Sequence, residues 1–296
     1  MDKQEMTDRI ASGQGFIAAL DQSGGSTPKA LRGYGVADNE WSGEDEMFAA
    51  IHAMRARVIT APSFGSGKVI GAILFEKTMD GLVEGVPTAD ALKQRGVVPF
   101  IKVDEGLQDE RAGVQLMKDM TKLVALLDKS VAAGVFGTKM RSVIKSANPE
   151  GIAAAVAQQF EYGERISARG LMPILEPEYD ITAADRAEGE QILLDELLRH
   201  LDALPGGRQV MLKLSIPATP GLYAPVIAHP GVLRVVALSG GYSTEDACAH
   251  LAKNRGMIAS FSRGLLQDLR KGQSDAEFDA ALGRAIDAIH AASVAG

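Results

Sequence analysis

The stretch "LMPILEPEYDITAADRAEGEQILLDELLRHLDALPGGRQVMLKLSI", residues 171–216, contains the repeating unit from which the fold can be predicted. It begins with an apolar run over 171–178, continues with helical periodicity over 187–204, and ends with a second apolar run over 210–216. Short apolar runs are typical of buried strands, and apolar residues at every third or fourth position are typical of helices. A strand, a helix and a strand in succession predict two parallel strands joined by a right-handed crossover.

The same pattern recurs along the chain. Six further apolar runs, each followed by a polar turn, occupy residues 15–21, 69–76, 98–104, 135–141, 232–240 and 257–263. Eight strands that alternate with helices in 296 residues predict an α/β fold, a (β/α)8 TIM barrel that forms a single domain over residues 1–296. The alternative is an open doubly wound sheet, which calls for a Gly-x-Gly-x-x-Gly turn that the first strand lacks.

Composition narrows the range of functions. The formal net charge of −7 argues against a general nucleic-acid surface. The sequence has no apolar run long enough to span a bilayer, and its single cysteine, Cys248, cannot form an internal disulfide, so we expect a cytoplasmic protein without a membrane partner. The five histidines are scattered and no Cys-x-x-Cys is present, so we expect no protein-built metal site.

Three charged residues interrupt the apolar runs. Lys139, Glu176 and Lys213 each have apolar residues on both sides along the predicted strand. Met211 and Ser215 share a strand face with Lys213, and we predict that this face points into the barrel. A structural ion network is the alternative, but a buried network of this kind costs much and is weak evidence of stability.

These three residue types can together perform carbonyl chemistry. A lysine in a dry pocket beside a second cation loses its proton more easily than a lysine in water. The neutral amine can attack a ketone and form a Schiff base, and a carboxylate can move the protons that dehydration requires. The pattern therefore favours Lys213 as the nucleophile, Lys139 as the neighbouring cation and Glu176 as the acid and base.

Other charged residues lie at or near the ends of predicted strands, where barrels carry their active sites. A single charge there usually marks the solvated start of a loop, which is the interpretation we favour for Glu76, Asp104 and Arg234. For Arg141 and Glu178 a rim ion pair and a functional role stay equally open. The charges considered are Asp21, Glu76, Lys102, Asp104, Arg141, Glu178, Arg234 and Arg263.

Glycine turns predict sites for anions. Barrels often hold a phosphate between the loops after strands seven and eight, using backbone N–H groups and helix N-termini. An arginine in such a loop supplies bidentate charge. The residues concerned are Ser239, Gly240 and Gly241 after the seventh strand, and Ser262 and Arg263 after the eighth.

A further anion site is predicted after the first strand, in "DQSGGSTPK", residues 21–29. Ser23 and Ser26 offer hydroxyls there, and Lys102 on the third strand is close enough to help. Turn formation and helix capping are the alternative role for the two serines. Two anion sites on either side of a reactive lysine predict a substrate with a phosphate at each end.

The residues resemble a known family, the class I (Schiff-base) fructose-bisphosphate aldolases. The resemblance runs along nearly the whole chain and is carried, in order, by "AALDQSGGSTPKAL", "IKVDEG", "FGTKMR", "PILEPE", "MLKLSIP", "LSGGYS" and "SFSRGL". The compact length resembles the bacterial branch. The resemblance implies a lyase of glycolysis and gluconeogenesis that cleaves fructose 1,6-bisphosphate reversibly into dihydroxyacetone phosphate and glyceraldehyde 3-phosphate, with no metal and no cofactor.

The resemblance also implies roles for individual residues. Lys213 is expected to form the Schiff base, and Glu176 to act as the main acid and base in imine formation and hydrolysis. Asp21 is expected to deprotonate or orient the C4 hydroxyl, Lys139 to stabilise negative charge and lower the pKa of Lys213, and Glu178 to support the lysines. The ketone-end phosphate is assigned to Ser239, Gly240 and Arg263, and the far phosphate to Ser23, Ser26, Lys102 and Arg141.

Two features depart from the animal members of that family. Ser262 stands where a glycine usually precedes the phosphate arginine, and the chain ends "AASVAG" without a C-terminal tyrosine. Two other functions stay open at this point, a Schiff-base aldolase for another sugar phosphate and a non-catalytic sugar-phosphate-binding barrel. The Lys–Glu–Lys–Asp set argues against the second. The sequence leaves the oligomeric state open, a homo-oligomer among the options.

Overall fold

The computed structural model describes residues 1–295, and in it the eight predicted strands form a ring in chain order. All neighbouring pairs with a ladder are parallel, so the predicted (β/α)8 barrel is confirmed. The strands are β1 (Phe16–Leu20), β2 (Val69–Leu74), β3 (Val98–Lys102), β4 (Gly137–Ile144), β5 (Met172–Tyr179), β6 (Val210–Ser215), β7 (Val232–Leu238) and β8 (Met257–Ala259).

Helices surround the ring and follow the strands. Two of them, α2 and α3, lie in the long connection between β1 and β2. None of the helices in residues 1–295 combines the length and the apolar character needed to cross a bilayer. The helices are α1 (Lys3–Ser12), α2 (Ser26–Tyr34), α3 (Gly43–Thr60), α4 (Glu76–Met79), α5 (Thr88–Gln94), α6 (Leu123–Ala132), α7 (Pro149–Ser167), α8 (Arg186–Asp202), α9 (Ala224–Ile227), α10 (Thr244–Leu251), α11 (Arg263–Leu266) and α12 (Asp275–Val294).

Two apolar clusters divide the core. The smaller one fills the inside of the barrel and includes Met211 of β6, while Met6 and Ile10 of α1 join it from the base. The larger one lies between the strands and the surrounding helices and contains Leu212 and Leu214. Because side chains alternate along a strand, this division places Lys213 on the inner side of β6, as predicted.

Several strands end earlier or later than the sequence predicts. β1, β3 and β7 stop before Asp21, Asp104 and Ser239, so these polar residues begin the following loops. β4 instead continues to Ile144, because a short strand, Val114–Gln115, pairs antiparallel with its last residues and satisfies their main chain.

The ring closes weakly between β8 and β1. Within residues 1–295 these two strands form no ladder, and one main-chain hydrogen bond joins them, from Ala19 N to Phe261 O at 3.2 Å. The pair β5 and β6 is also short, with two register pairs. There the Ser215 hydroxyl donates to Tyr179 O at 2.6 Å and accepts from Tyr179 N at 3.0 Å, which continues the pairing by a side chain.

Candidate active site

Four charged side chains meet at the carboxyl end of the barrel, three from strands and one, Asp21, from the residue that follows β1. Lys139 Nζ lies 2.7 Å from Asp21 Oδ2 and 2.9 Å from Glu176 Oε2. Lys213 Nζ lies 3.0 Å from the other oxygen of the same carboxylate, Glu176 Oε1. Lys139, Glu176 and Lys213 are each at most 4% exposed. Two carboxylates and two ammonium groups thus alternate in one buried chain, Asp21–Lys139–Glu176–Lys213, which we call the charge quartet.

The quartet holds its carboxylates ionised. Burial alone would raise the pKa of Asp21, but Lys139, Lys213 and Lys102 outweigh burial and lower that pKa. Burial likewise opposes ionisation of Glu176, yet Lys139, Lys213 and Arg141 bring its pKa below the ordinary value.

The pKa of Lys139 moves the opposite way. Burial would lower it, but Asp21, Glu176 and Asp104 together raise it. Lys139 is therefore a cation at neutral pH, and Asp21 and Glu176 are anions.

The quartet forms the floor of a cavity of about 790 Å³ that opens at the barrel mouth. This volume is in the range of sites that bury most of a small-molecule ligand. Every predicted site residue lines the cavity except Gly241, which lies just outside it. The predicted residues at the wall are Asp21, Ser23, Ser26, Lys102, Lys139, Arg141, Glu176, Glu178, Lys213, Ser239, Gly240, Ser262 and Arg263.

The loop after β7 needs glycine at its centre. Gly240 has φ +60°, and a Cβ at that position would lie 2.6 Å from Ile181 Cγ2. Tyr242, at the far end of the loop, accepts a hydrogen bond from Arg186 Nη1 at 3.0 Å, and the same guanidinium donates to Ile216 O at the end of β6. Arg186 therefore fixes this loop relative to the strand that carries the buried lysine.

The loop after β1 is a tight turn. Gly24 adopts φ +51°, and Ser26 begins α2. The Ser26 hydroxyl donates to Ser23 O at 2.8 Å and accepts from Ser23 N at 2.9 Å. The turn role that the sequence left as an alternative is thus the one that the Ser26 hydroxyl fills here.

Glu178, which is expected to support the lysines, forms no ion pair with a lysine among the described residues. Glu178 Oε2 accepts from Arg141 Nε at 2.5 Å instead, so the two residues form the rim ion pair. Neighbouring parallel strands bring them together, because Arg141 on β4 is paired with Glu176 on β5, and Glu178 lies two residues further along β5 on the same face. The bond uses Nε of Arg141, which also lines the cavity.

Of the three charges interpreted as solvated loop starts, Asp104 was assigned wrongly. It is 9% exposed, lines the cavity, and its Oδ1 lies 2.8 Å from Lys102 Nζ. Glu76 does begin a surface helix and pairs with Lys129 at 3.1 Å. Arg234 was also assigned wrongly, because it lies inside β7 and donates to Ala11 O and Gly13 O at the base of the barrel.

The structure adds residues that the sequence did not single out. Gln22, Lys29, Ser260 and Arg270 also line the cavity. Gln22 directly follows Asp21 and Ser260 precedes Ser262 by two residues, so their position beside assigned residues was an available signal.

Behind Gln22 lies Arg55 of α3. It is fully buried and has no carboxylate within ion-pair distance among the residues described. Burial lowers the pKa of its guanidinium to about 10, and the Asp21 charge partly opposes this effect. Arg55 is therefore still charged at pH 7.

Fold and site together define a class of enzyme, a (β/α)8 barrel whose mouth holds a buried lysine, a carboxylate and flanking anion-binding loops. Comparison with known protein families identifies the family of enzymes to which the chain belongs. The family model for fructose-bisphosphate aldolase class-I matches residues 3–198, two thirds of the chain, and the protein belongs to that family. It is accordingly a class I aldolase, a lyase of glycolysis that acts on sugar phosphates through a lysine Schiff base.

Solved structures agree on the fold. Fructose-bisphosphate aldolase from Plasmodium falciparum superposes with a TM-score of 0.74 at 20% sequence identity, over 99% of this chain and 95% of the other. A structural-genomics target from Corynebacterium glutamicum gives 0.50 at 14% identity, over 98% and 92% of the two chains. The family match ends before β6, so the roles of Lys213 and of the loops after β7 and β8 are argued from geometry.

Proposed function

We propose that Lys213 is the amine that forms the Schiff base and that the charge quartet carries out the proton transfers of aldol cleavage. The observation that supports this most strongly is the contact of Lys213 Nζ with Glu176 Oε1 at 3.0 Å inside the barrel. Glu176 is in hydrogen-bond reach of the proton that the amine must lose before it attacks, which is the geometric requirement for a general base.

In the proposed sequence, the neutral amine attacks the ketone carbon C2 of fructose 1,6-bisphosphate and gives a carbinolamine. Glu176 returns the proton to the carbinolamine hydroxyl, which leaves as water, and a protonated imine remains. The C3–C4 bond then breaks, its electron pair moves toward the imine to give an enamine, and the C4 hydroxyl loses its proton as glyceraldehyde 3-phosphate forms.

Asp21 is the proposed acceptor of the C4 hydroxyl proton. It is ionised because of Lys139 and lies at the opposite end of the quartet from Lys213. In the second half of the reaction the enamine takes a proton at C3, and water hydrolyses the imine to release dihydroxyacetone phosphate. Lys139, held between the two carboxylates, keeps both in place during these steps.

The two phosphates are assigned to opposite sides of the mouth. For the ketone end we propose Ser239, Gly240 and Arg263, where a strained glycine turn exposes backbone N–H groups beside a guanidinium. For the far end we propose Arg141 with Ser23. Lys102 contributes less than its charge suggests, because its ammonium already bonds Asp104 Oδ1 at 2.8 Å and Asp104 O at 2.7 Å.

We further propose that the whole chain, residues 1–296, acts as one domain, since one apolar cluster extends from Phe16 of β1 to Ala292 of α12. The proposed location is the cytoplasm, where glycolytic sugar phosphates are found. The substrate preference can be tested with ketose phosphates: fructose 1,6-bisphosphate should exceed fructose 1-phosphate in kcat/KM, and a preference for the monophosphate would contradict the two-phosphate assignment.

Borohydride trapping tests the central proposal. The enzyme is incubated with dihydroxyacetone phosphate, reduced, digested and mapped by mass spectrometry, and the reduced adduct is expected on Lys213. Lys213→Met should abolish trapping and cleavage, whereas Lys145→Met, which removes a lysine paired with Glu110 outside the quartet, should preserve both. An adduct on Lys139, or turnover by the Lys213→Met enzyme, would refute the assignment.

A further inference from the structure

A second polar chain lies beside the charge quartet and links two strand ends. Arg55 Nη2 donates to Gln22 O at 2.5 Å and to Gln22 Oε1 at 3.1 Å, and Arg55 Nη1 donates to Thr78 Oγ1 at 2.6 Å. Gln22 Nε2 in turn donates to Ser262 Oγ at 2.5 Å and to Ala19 O at 3.2 Å. Arg55, Gln22 and Ser262 together are called the seam clamp.

The charge of Arg55 fixes the direction of the Gln22 amide. A guanidinium has only donors, so the group facing it must be the amide oxygen. The amide nitrogen is then forced to point to the other side, where Ser262 Oγ and Ala19 O accept. Arg55 has no carboxylate partner to compete for it, and its burial keeps water from replacing the contact.

The position of Ser262 indicates that its hydroxyl serves the contact with Gln22. Serine at the residue before a helix usually caps the helix with its side chain. Ser262 precedes α11 but makes no such cap, and its hydroxyl accepts from Gln22 instead. Ser274 precedes α12 in the same way and does cap it, accepting from Glu277 N.

The clamp crosses the weakest junction of the barrel. Between β1 and β8 the described main chain contributes one hydrogen bond, so the spacing of the two strand ends depends on side chains. Gln22 adjoins Asp21 in the chain, and Ser262 adjoins Arg263. A shift of about 1 Å between catalytic groups can cost as much as a hundredfold in rate.

We propose that the seam clamp is a positioning device for the aldolase reaction, in which Gln22, oriented by Arg55, holds Asp21 at a fixed distance from the phosphate arginine, Arg263. None of the three clamp side chains exchanges a proton with the substrate in this role. The proposal rests on the function proposed above, because it takes Asp21 as the C4 base and Arg263 as the phosphate ligand.

A double-mutant cycle tests the clamp. Gln22→Met keeps the length of the side chain but removes the amide contacts with Arg55, Ser262 and Ala19, and Ser262→Ala removes the hydroxyl that accepts from Gln22. We expect each to lower kcat/KM for fructose 1,6-bisphosphate about tenfold, the upper range for one buried hydrogen bond. If the two act through one link, the double variant also loses about tenfold, whereas independent effects would multiply to about a hundredfold.

Inorganic phosphate provides a second measurement that general destabilisation would not change. Both variants should raise its competitive inhibition constant, because the loop that carries Arg263 is no longer held. The matched control is Ser274→Ala, a serine at a helix start away from the site, which should lower the thermal midpoint and leave kcat/KM and phosphate inhibition unchanged.

The outcomes distinguish failure of the clamp proposal from failure of the proposed Schiff-base function. Trapping of dihydroxyacetone phosphate on Lys213 at saturating concentration should survive in both clamp variants, and failure of trapping in the unmodified enzyme would overturn the proposed function instead. Multiplicative losses in the double variant, or unchanged kcat/KM in the single variants, would overturn the clamp. Arg55→Met is expected to reproduce the Gln22→Met effect where the protein folds, and the cycle does not depend on it.

Discussion

Exchanging Lys139 for methionine should cost more stability than exchanging Lys213, although both lysines are buried in the same quartet. Lys139 contacts two carboxylates, at 2.7 Å and 2.9 Å, and Lys213 contacts one, at 3.0 Å. After Lys213→Met, Glu176 still has Lys139. After Lys139→Met, Asp21 has no ammonium group within ion-pair distance, and its charge is buried without a partner.

The magnitudes follow from these contacts. Breaking a buried ion pair by removing one partner costs about 3–5 kcal/mol, which is the expected loss for Lys139→Met at pH 7. Loss of one charge-assisted hydrogen bond costs about 1.5–3 kcal/mol, which is the expectation for Lys213→Met. Urea unfolding of both variants and of the unmodified protein, followed by circular dichroism, measures the difference.

The two losses should depend differently on pH between pH 7 and pH 5, where only the Lys139→Met loss is expected to change. In the unmodified protein the pKa values of Asp21 and Glu176 are lowered. Their contribution to the free energy of unfolding is therefore present above about pH 4, where both carboxyls are ionised in the unfolded chain. It is lost as the pH falls through their lower pKa values in the folded protein.

In Lys139→Met we expect burial to raise the pKa of Asp21. As the pH falls, Asp21 takes up a proton in the folded protein, and the variant regains stability relative to the unmodified protein. The deficit should shrink by up to about 1.4 kcal/mol per pH unit between pH 7 and pH 5. Equal losses for the two variants, or a Lys139→Met deficit that is the same at pH 5 and pH 7, would show that Lys139 does not hold the two carboxylates.

Two further substitutions test the loops and strands that carry the site. Gly240→Ala should lose about 1–2 kcal/mol of stability, because an L-residue is strained at φ +60°, and should weaken competitive inhibition by inorganic phosphate. Adding Ile181→Ala should relieve only the steric clash with Ile181. Full recovery of stability in the double variant would contradict the backbone argument. Ser215→Ala should lose about 1–3 kcal/mol in urea unfolding, because Tyr179 N is left buried without its partner. A loss below about 0.5 kcal/mol, the level of surface substitutions, would contradict this.

The sequence was sufficient for the barrel and for singling out Lys139, Glu176 and Lys213, but it did not show that these side chains meet. Apolar runs with helices between them specify parallel strands. A charge inside such a run, as at Lys213, is then expected to lie at the mouth of the barrel. Alternation put Met211 and Lys213 on one face of β6, and the cluster inside the barrel, which contains Met211, shows that this face points inward.

Partners across strands could not be predicted in the same way. The register between parallel strands is set by packing of the whole ring, so the sequence did not show that Glu178 meets Arg141 and not a lysine. Arg55 lies on the apolar side of α3 with Met47 and Ile51, at intervals of four residues. An arginine in that stripe was an available signal, but its partner Gln22 depends on how α3 packs behind the first loop.

The position of α1 has a consequence for the movement of molecules through the enzyme. Because Met6 and Ile10 fill the base, the barrel is closed at that end and the cavity opens only at the mouth. Substrate and products then pass through the same opening. If Lys213 forms the Schiff base as proposed above, the product attached to it lies deeper than the product released first and cannot obstruct it. The order of departure is then dictated by depth: the piece nearer the opening leaves first, and the tethered piece leaves last.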